Sequence, residues 1–204
     1  MCLFIETICY EQGRFQRIEQ HNERCNRTRN HFFGLRPNIQ LELFLSIPEY
    51  LSNKTVKCTI TYGSDIIGIE YNLYLIRPVK SLQLVNDDMI DYSFKYADRT
   101  KINSLFKLRS QSDDILIVKN GLITDTSYAN IIFKKDEKWY SPQKPLLRGT
   151  RIENYLREGR VTPALLRPKD LLVFSEARIV NAMISIENSP VIPIENISDL
   201  NTNY

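Results

Sequence analysis

Two turn signatures constrain this chain more than anything else in its 204 residues. Residues 56–62 and 66–75 are rich in β-branched and aromatic side chains and are separated by Gly63-Ser64-Asp65. Residues 115–118 and 122–124 are separated by Asn120-Gly121, the pair best suited to a two-residue turn with positive φ at both positions. Each pattern predicts a hairpin, so the sheet must be largely antiparallel. Other strands are expected at 2–10, ending in a Gln12-Gly13 turn, and at 81–85, 130–133, 171–174 and 191–194. Helices are expected at 18–33, 41–51 with a break near Pro48, 100–109 behind an Asp98 cap, and 149–157 opening at Gly149. In the first of these, Ile18, Cys25 and Phe32 recur every seven residues, and Gly34 with Pro37 supplies a stop. Few helices among mostly antiparallel strands make the class α+β. The Arg77-Pro78 step is the expected boundary between a small domain, 1–78, and a larger one, 79–204.

Composition narrows the functional classes. Hydrophobic residues are 43% and charged residues 25% of the chain, the balance of a folded domain rather than a disordered or fibrous one. No apolar run approaches the roughly 18–20 residues that cross a bilayer, so no membrane partner is expected. The first residues, MCLFIETICYEQ, carry Glu6 and lack a basic n-region, which argues against a signal peptide and for the cytoplasm. Twenty-seven basic against 24 acidic residues give a net charge of +3, too little to demand a polyanion. Basic residues do cluster from Arg14 to Arg36. A solvated helix face is the expectation there, since no RNA-binding signature or zinc-finger spacing accompanies them, and no nucleic-acid partner is expected. Cys2, Cys9, Cys25 and Cys58 form no CxxC pair and read as reduced thiols. His21 and His31 cannot make a three-histidine site, and no HExxH or EF-hand spacing occurs, so no metal is expected. Any reactive group is a lysine, a carboxylate, a hydroxyl or a cofactor.

Three stretches carry candidate chemistry. His21-x-x-Arg24 puts both side chains on one helix face. Phe94-Lys95-Tyr96-Ala97-Asp98-Arg99 sets a lysine between aromatics, where burial would lower its pKa and free its amine. Asn120-Gly121 leads to Asp125 and Asn130, and Leu147-Arg148-Gly149-Thr150-Arg151 follows at the start of a helix. Each has an ordinary reading as well: a solvated arginine, a surface lysine, a turn aspartate.

Together and in order, these stretches resemble the class IV aminotransferases. That pyridoxal-phosphate group includes branched-chain and D-amino-acid aminotransferases and 4-amino-4-deoxychorismate lyase. Glu6-Thr7, His21-x-x-Arg24, Lys95 with Asp98-Arg99, Gly121 to Asp125 and Asn130, Ser141-Pro142 and Leu147 to Arg151 stand in the family's order. The resemblance implies a two-domain fold of the D-amino-acid aminotransferase type with pyridoxal 5'-phosphate between the domains. It implies Lys95 as the Schiff-base lysine and Arg24 as a phosphate ligand. Asp125 would partner the pyridine nitrogen where the family usually has glutamate. Thr150 and Arg151 would offer main-chain N–H groups to the phosphate, with Thr150 standing where isoleucine is common. Asn181 and Ala182 would lie near the phosphate and the substrate carboxylate. Such residues suit the cofactor, which needs an amine, a carboxylate for its ring nitrogen, and cationic and N–H donors for its phosphate. Lys95 with Asp98-Arg99 and the late Asn181-Ala182-Met183 resemble the lyase branch. The implied activity is therefore pyruvate release giving 4-aminobenzoate. The alternatives are an amino-acid aminotransferase and a non-catalytic cofactor-binding relative. A small amino substrate and a homodimer are also implied. The chain is short for the family, which places the missing length in loops around the substrate pocket and between Gly63 and Lys95.

Overall fold

The computed structural model describes residues 2–34 and 37–200. Arg36, at the end of the basic cluster, lies outside the described residues. The chain divides into two compact units. One holds the residues up to Leu75 together with Phe94–Asp98, and the other holds Ile76–Ser93 and the residues from Arg99 onward.

The first unit contains β1 (Phe4–Glu11), β2 (Arg14–Phe15), α1 (Ile18–Phe33), β3 (Val56–Tyr62) and β4 (Ile66–Leu73). The strands pair antiparallel in the order β2-β1-β3-β4. Alternate β3 residues, Val56, Cys58, Ile60 and Tyr62, are buried, as a half-buried strand requires. Phe4 and Ile8 of β1, Cys25 of α1, and Leu41 join them in one core. Each large apolar side chain buried there is worth about 1.5–3 kcal/mol.

α1 has the expected bounds and ends at Gly34, whose φ of 63° lets its N–H return to the Asn30 carbonyl. Its buried face is polar, carrying His21, Arg24, Asn26, Thr28 and Arg29 with Cys25. The expected solvated basic face is therefore only partly present, because Arg24 and Arg29 turn inward while Arg14 and Arg27 remain exposed. The inward amides hold the returning chain. Asn26 bonds both the N–H and the carbonyl of Ile39, and Asn22 accepts from the Leu41 N–H. The helix expected at 41–51 is two single 3-10 turns, Leu41–Phe44 and Glu49–Leu51.

The second unit contains β5 (Leu82–Asn86), α2 (Thr100–Phe106), β6 (Asp114–Lys119), β7 (Leu122–Thr126), β8 (Asn130–Lys135) and β9 (Lys138–Pro142). There follow α3 (Thr150–Arg157), β10 (Val161–Ala164), β11 (Glu176–Val180), β12 (Val191–Pro193) and β13 (Ile197–Ser198). The sheet runs β10-β9-β8-β7-β6-β5-β13, with β11 also on β8 and β12 beyond it. Asn120 and Gly121 take φ of 51° and 71°, the tight turn expected between β6 and β7. β6 is buried along almost its whole length, which matches its unbroken apolar run.

The class is α+β, as expected, but four local expectations are corrected. Residues 171–174 are not a strand. Residues 171–173 end a 3-10 turn, Pro168–Val173, with Phe174 as its C-cap, because Pro168 fixes a helical φ and Asp170 caps the Arg167 N–H at 2.8 Å. α2 stops at Phe106, and its N-cap is Arg99 rather than Asp98. β9, β10 and β11 are strands that the pattern did not suggest. Finally, Lys95 groups with the first unit rather than with the residues after 78. The Ile5 N–H donates to the Lys95 carbonyl at 2.9 Å and the Ala97 N–H to the Leu3 carbonyl at 2.8 Å, so Phe94–Asp98 is tied along β1.

Candidate functional site

In the first unit, β1 alternation turns Glu6 inward between Phe4 and Ile8, and Glu6 is fully buried. α1 presents His21 and Arg24 to it from one face. Arg24 donates through Nε at 2.8 Å and Nη2 at 2.6 Å, and His21 Nδ1 lies 2.6 Å from the same carboxylate. Burial alone would raise the Glu6 pKa. The charge and hydrogen bonds of Arg24, with the bond from His21, override burial and hold the carboxyl at about 2. His21 is pushed down to about 4, first by burial and also by the Arg24 charge, against the pull of Glu6. At neutral pH the imidazole is neutral and its Nδ1–H donates to the carboxylate. The trio thus holds a buried guanidinium in one fixed orientation.

Lys95 is half-buried, and its main chain is pinned to Ile5, the neighbour of Glu6. Phe94 and Tyr96, on either side of Lys95 in the chain, are partly buried. Both rings pack around Phe4, at 6.4 and 5.4 Å, and against Phe32. They anchor the lysine segment in the core.

In the second unit, Asp125 and Asn130 face each other across β7 and β8. The Asn130 amide donates to Asp125 Oδ1 at 2.7 Å and to the Leu147 carbonyl at 2.8 Å. The Leu147 N–H donates to Asp125 Oδ2 at 2.9 Å, and the Gly149 N–H donates to Asn130 Oδ1 at 3.1 Å. A Cβ at Gly149 would sit 2.5 Å from Asn130 Oδ1, so this closeness requires glycine. Gly149 is the N-cap of α3 and makes no side-chain cap bond, and Thr150 behind it is buried. Arg151 donates to the carbonyls of Asn181 at 2.7 Å and Ala182 at 2.9 Å. Asn181 closes its own turn by accepting the Met183 and Ile184 N–H groups. Asp125 and Asn130 are thus bonded to Leu147 and Gly149, Arg151 is bonded to Asn181 and Ala182, and the start of α3 from Gly149 through Thr150 to Arg151 connects the two sets. Arg99 donates to the Ser127 carbonyl at 2.6 Å, fixing the turn after β7.

Sequence reasoning singled out Glu6 without assigning it contacts. The available signal was an acid on the apolar face of an alternating strand. Among the described residues no group of three His, Cys, Asp or Glu side chains could hold a metal ion. None of the described helices is long and apolar enough to cross a membrane.

Residues 92–197 match the family described as amino-transferase class IV. An uncharacterised protein of Haemophilus influenzae is 38% identical over 180 residues, which are 87% of this chain and 96% of that protein. A crystal structure described as a candidate 4-amino-4-deoxychorismate lyase from Haemophilus somnus 129PT matches with a TM-score of 0.83 and 30% identity. That match covers 90% of this chain and 97% of the other. A hypothetical aminotransferase from Mycobacterium tuberculosis, in a PLP-bound form, shares the fold at a TM-score of 0.73 and 15% identity, over 96% and 81% of the two chains.

Proposed function

The chain belongs to the class IV aminotransferase family, and on that premise we propose that it is a pyridoxal-phosphate enzyme acting as a 4-amino-4-deoxychorismate lyase. The cofactor part of the reading is carried by the donor set. The first unit holds a buried, doubly anchored guanidinium, and the second holds a helix start at glycine and a buried carboxylate gripped by two N–H donors; groups of these kinds suit the phosphate and ring nitrogen of this cofactor. The lyase part is supported by the likeness to the Haemophilus somnus protein along nearly the whole of both chains.

Under this reading Arg24 and the main-chain N–H groups of Thr150 and Arg151 hold the phosphate. Glu6 and His21 keep Arg24 aimed. The Arg151 guanidinium braces the turn of Asn181 and Ala182, so its contribution to the phosphate is its N–H. Asp125 would accept a hydrogen bond from the protonated ring nitrogen. Asn130 and Leu147 each donate to the Asp125 carboxylate, one to each oxygen. Bound pyridoxal phosphate supplies an aldehyde that condenses with amines and a ring that withdraws electrons. Lys95 Nζ is the amine that takes that aldehyde. The same Nζ, when not held by the aldehyde, would be the base that accepts a proton from substrate carbon. We propose that the working form is a homodimer.

Loading the purified protein with pyridoxal phosphate tests the reading. A visible cofactor band that disappears in Lys95→Ala, with pyruvate and 4-aminobenzoate formed from 4-amino-4-deoxychorismate, is the expected result. Strong transamination without pyruvate release overturns the lyase in favour of an aminotransferase. Absence of the band in the wild-type protein overturns the enzyme, leaving a non-catalytic relative.

A further inference from the structure

Ser141 ends β9 and is only 2% exposed, yet its hydroxyl has no hydrogen-bond partner. An unsatisfied buried hydroxyl is costly, and native folds rarely leave one. Ser141 lines a cavity of about 10 Å³ together with Asp125 and Asn130. That is room for one water molecule, which needs two to four polar neighbours to stay. The Asn130 amide already spends its Nδ2 on Asp125 and Leu147 and its Oδ1 on Gly149. Asp125 has an acceptor oxygen toward each of Asn130 and Leu147, and a carboxylate can accept more than one bond at each oxygen. Arg148 is the other charged side chain lining the cavity, and it is half-exposed with Nη1 drawn to Glu153 at 3.6 Å.

We propose that Ser141 is a positioning residue for Asp125, acting through one buried water held between the two side chains. The water satisfies the hydroxyl and adds a donor to the carboxylate. The added donor comes from β9, a different element from those that supply Asn130 and Leu147. A shorter acid takes its orientation from what its oxygens touch, so an added donor fixes the direction in which Asp125 presents its charge. This role rests on the proposed pairing of Asp125 with the cofactor ring.

Ser141→Ala and Ser141→Thr, compared as holoenzymes with the wild type, test it. Crystals of the wild type should show a single water within hydrogen-bond distance of Ser141 Oγ and the Asp125 carboxylate, absent from Ser141→Ala. In solution, Ser141→Ala should keep the cofactor band but lose about tenfold in kcat at little-changed KM, the size of one lost hydrogen bond to a charge. The acid limb of its pH–rate profile should move to higher pH, and Ser141→Thr should restore both. A dry cavity, a Ser141 hydroxyl bound to a main-chain carbonyl, or a profile unmoved in Ser141→Ala overturns the inference while leaving the cofactor reading intact. A wild-type protein that takes up no cofactor overturns both.

Discussion

Glu6, His21 and Arg24 make the first unit sensitive to acid in two stages. His21 has a folded pKa of about 4 against an ordinary 6.5, so the fold binds fewer protons there than the unfolded chain does. Its contribution is complete above 6.5 and is lost as pH falls toward 4. Glu6, at about 2 against 4.5, contributes fully above 4.5 and loses that contribution as pH falls toward 2. Urea unfolding from pH 7 to pH 4 should therefore show a fall of up to roughly 3 kcal/mol. In His21→Gln, which keeps an N–H donor but cannot titrate, the decline should begin only near 4.5. A His21→Gln curve that still falls from 6.5 would show that another group is responsible. The spacing His21-x-x-Arg24 made these two side chains legible as neighbours. Their burial was not legible, because a helix rich in Arg and Asn has the composition of a solvated one. Only the placement of Glu6 and the returning chain at Ile39 and Leu41 turns that face inward.

At the scale of elements, the second-unit site depends on how closely α3 begins beside β8. Gly149→Ala would drive a methyl against Asn130 Oδ1, and relieving that clash pulls Asn130 from Asp125 or from the Gly149 N–H. The expected cost is about 1–3 kcal/mol of stability, seen as a lower Tm, together with weaker cofactor uptake measured by titration. Unchanged values for both would mean that the start of α3 shifts freely. Elements with strong local signals were readable: α1 with its glycine stop, and the hairpin at Asn120-Gly121. β9 was not, since Lys138–Pro142 mixes charged and aromatic residues without alternation. β11 lies in a stretch whose apolar residues follow a misleading run at 171–174. There Pro168 and Asp170 decide the local structure over side-chain pattern. Asp125 was readable as a candidate from its place in the family's motif order after Asn120-Gly121. Its grip by the Leu147 N–H was not, because that bond joins residues 22 apart.

At the scale of the whole chain, the path leaves the first unit after Leu75, re-enters it for Phe94–Asp98 and leaves again. The first departure follows Leu75, three residues before the Pro78 that the sequence marks as a boundary. The return is five residues held by main-chain bonds to β1 and by two aromatic rings, and no periodicity announces so short a segment. Phe4, fully buried and in contact with both rings, is the residue most responsible for holding it. Phe4→Ala should cost about 3–5 kcal/mol. It should also raise the hydrogen-exchange rate of the Ile5 and Ala97 amides more than that of amides in β6. Equal acceleration everywhere would indicate global loosening instead.

The returning segment has a genetic consequence. A gene cut at codon 76 would yield a first piece lacking the strip that covers Phe4, and a second piece carrying that strip with nothing to dock on. Neither product could be shuffled into another protein as a finished module, and duplication or fusion of the gene would have to carry both units together. A split after codon 98 is the earliest cut that hands the first unit all of its own residues, and it also hands over the lysine.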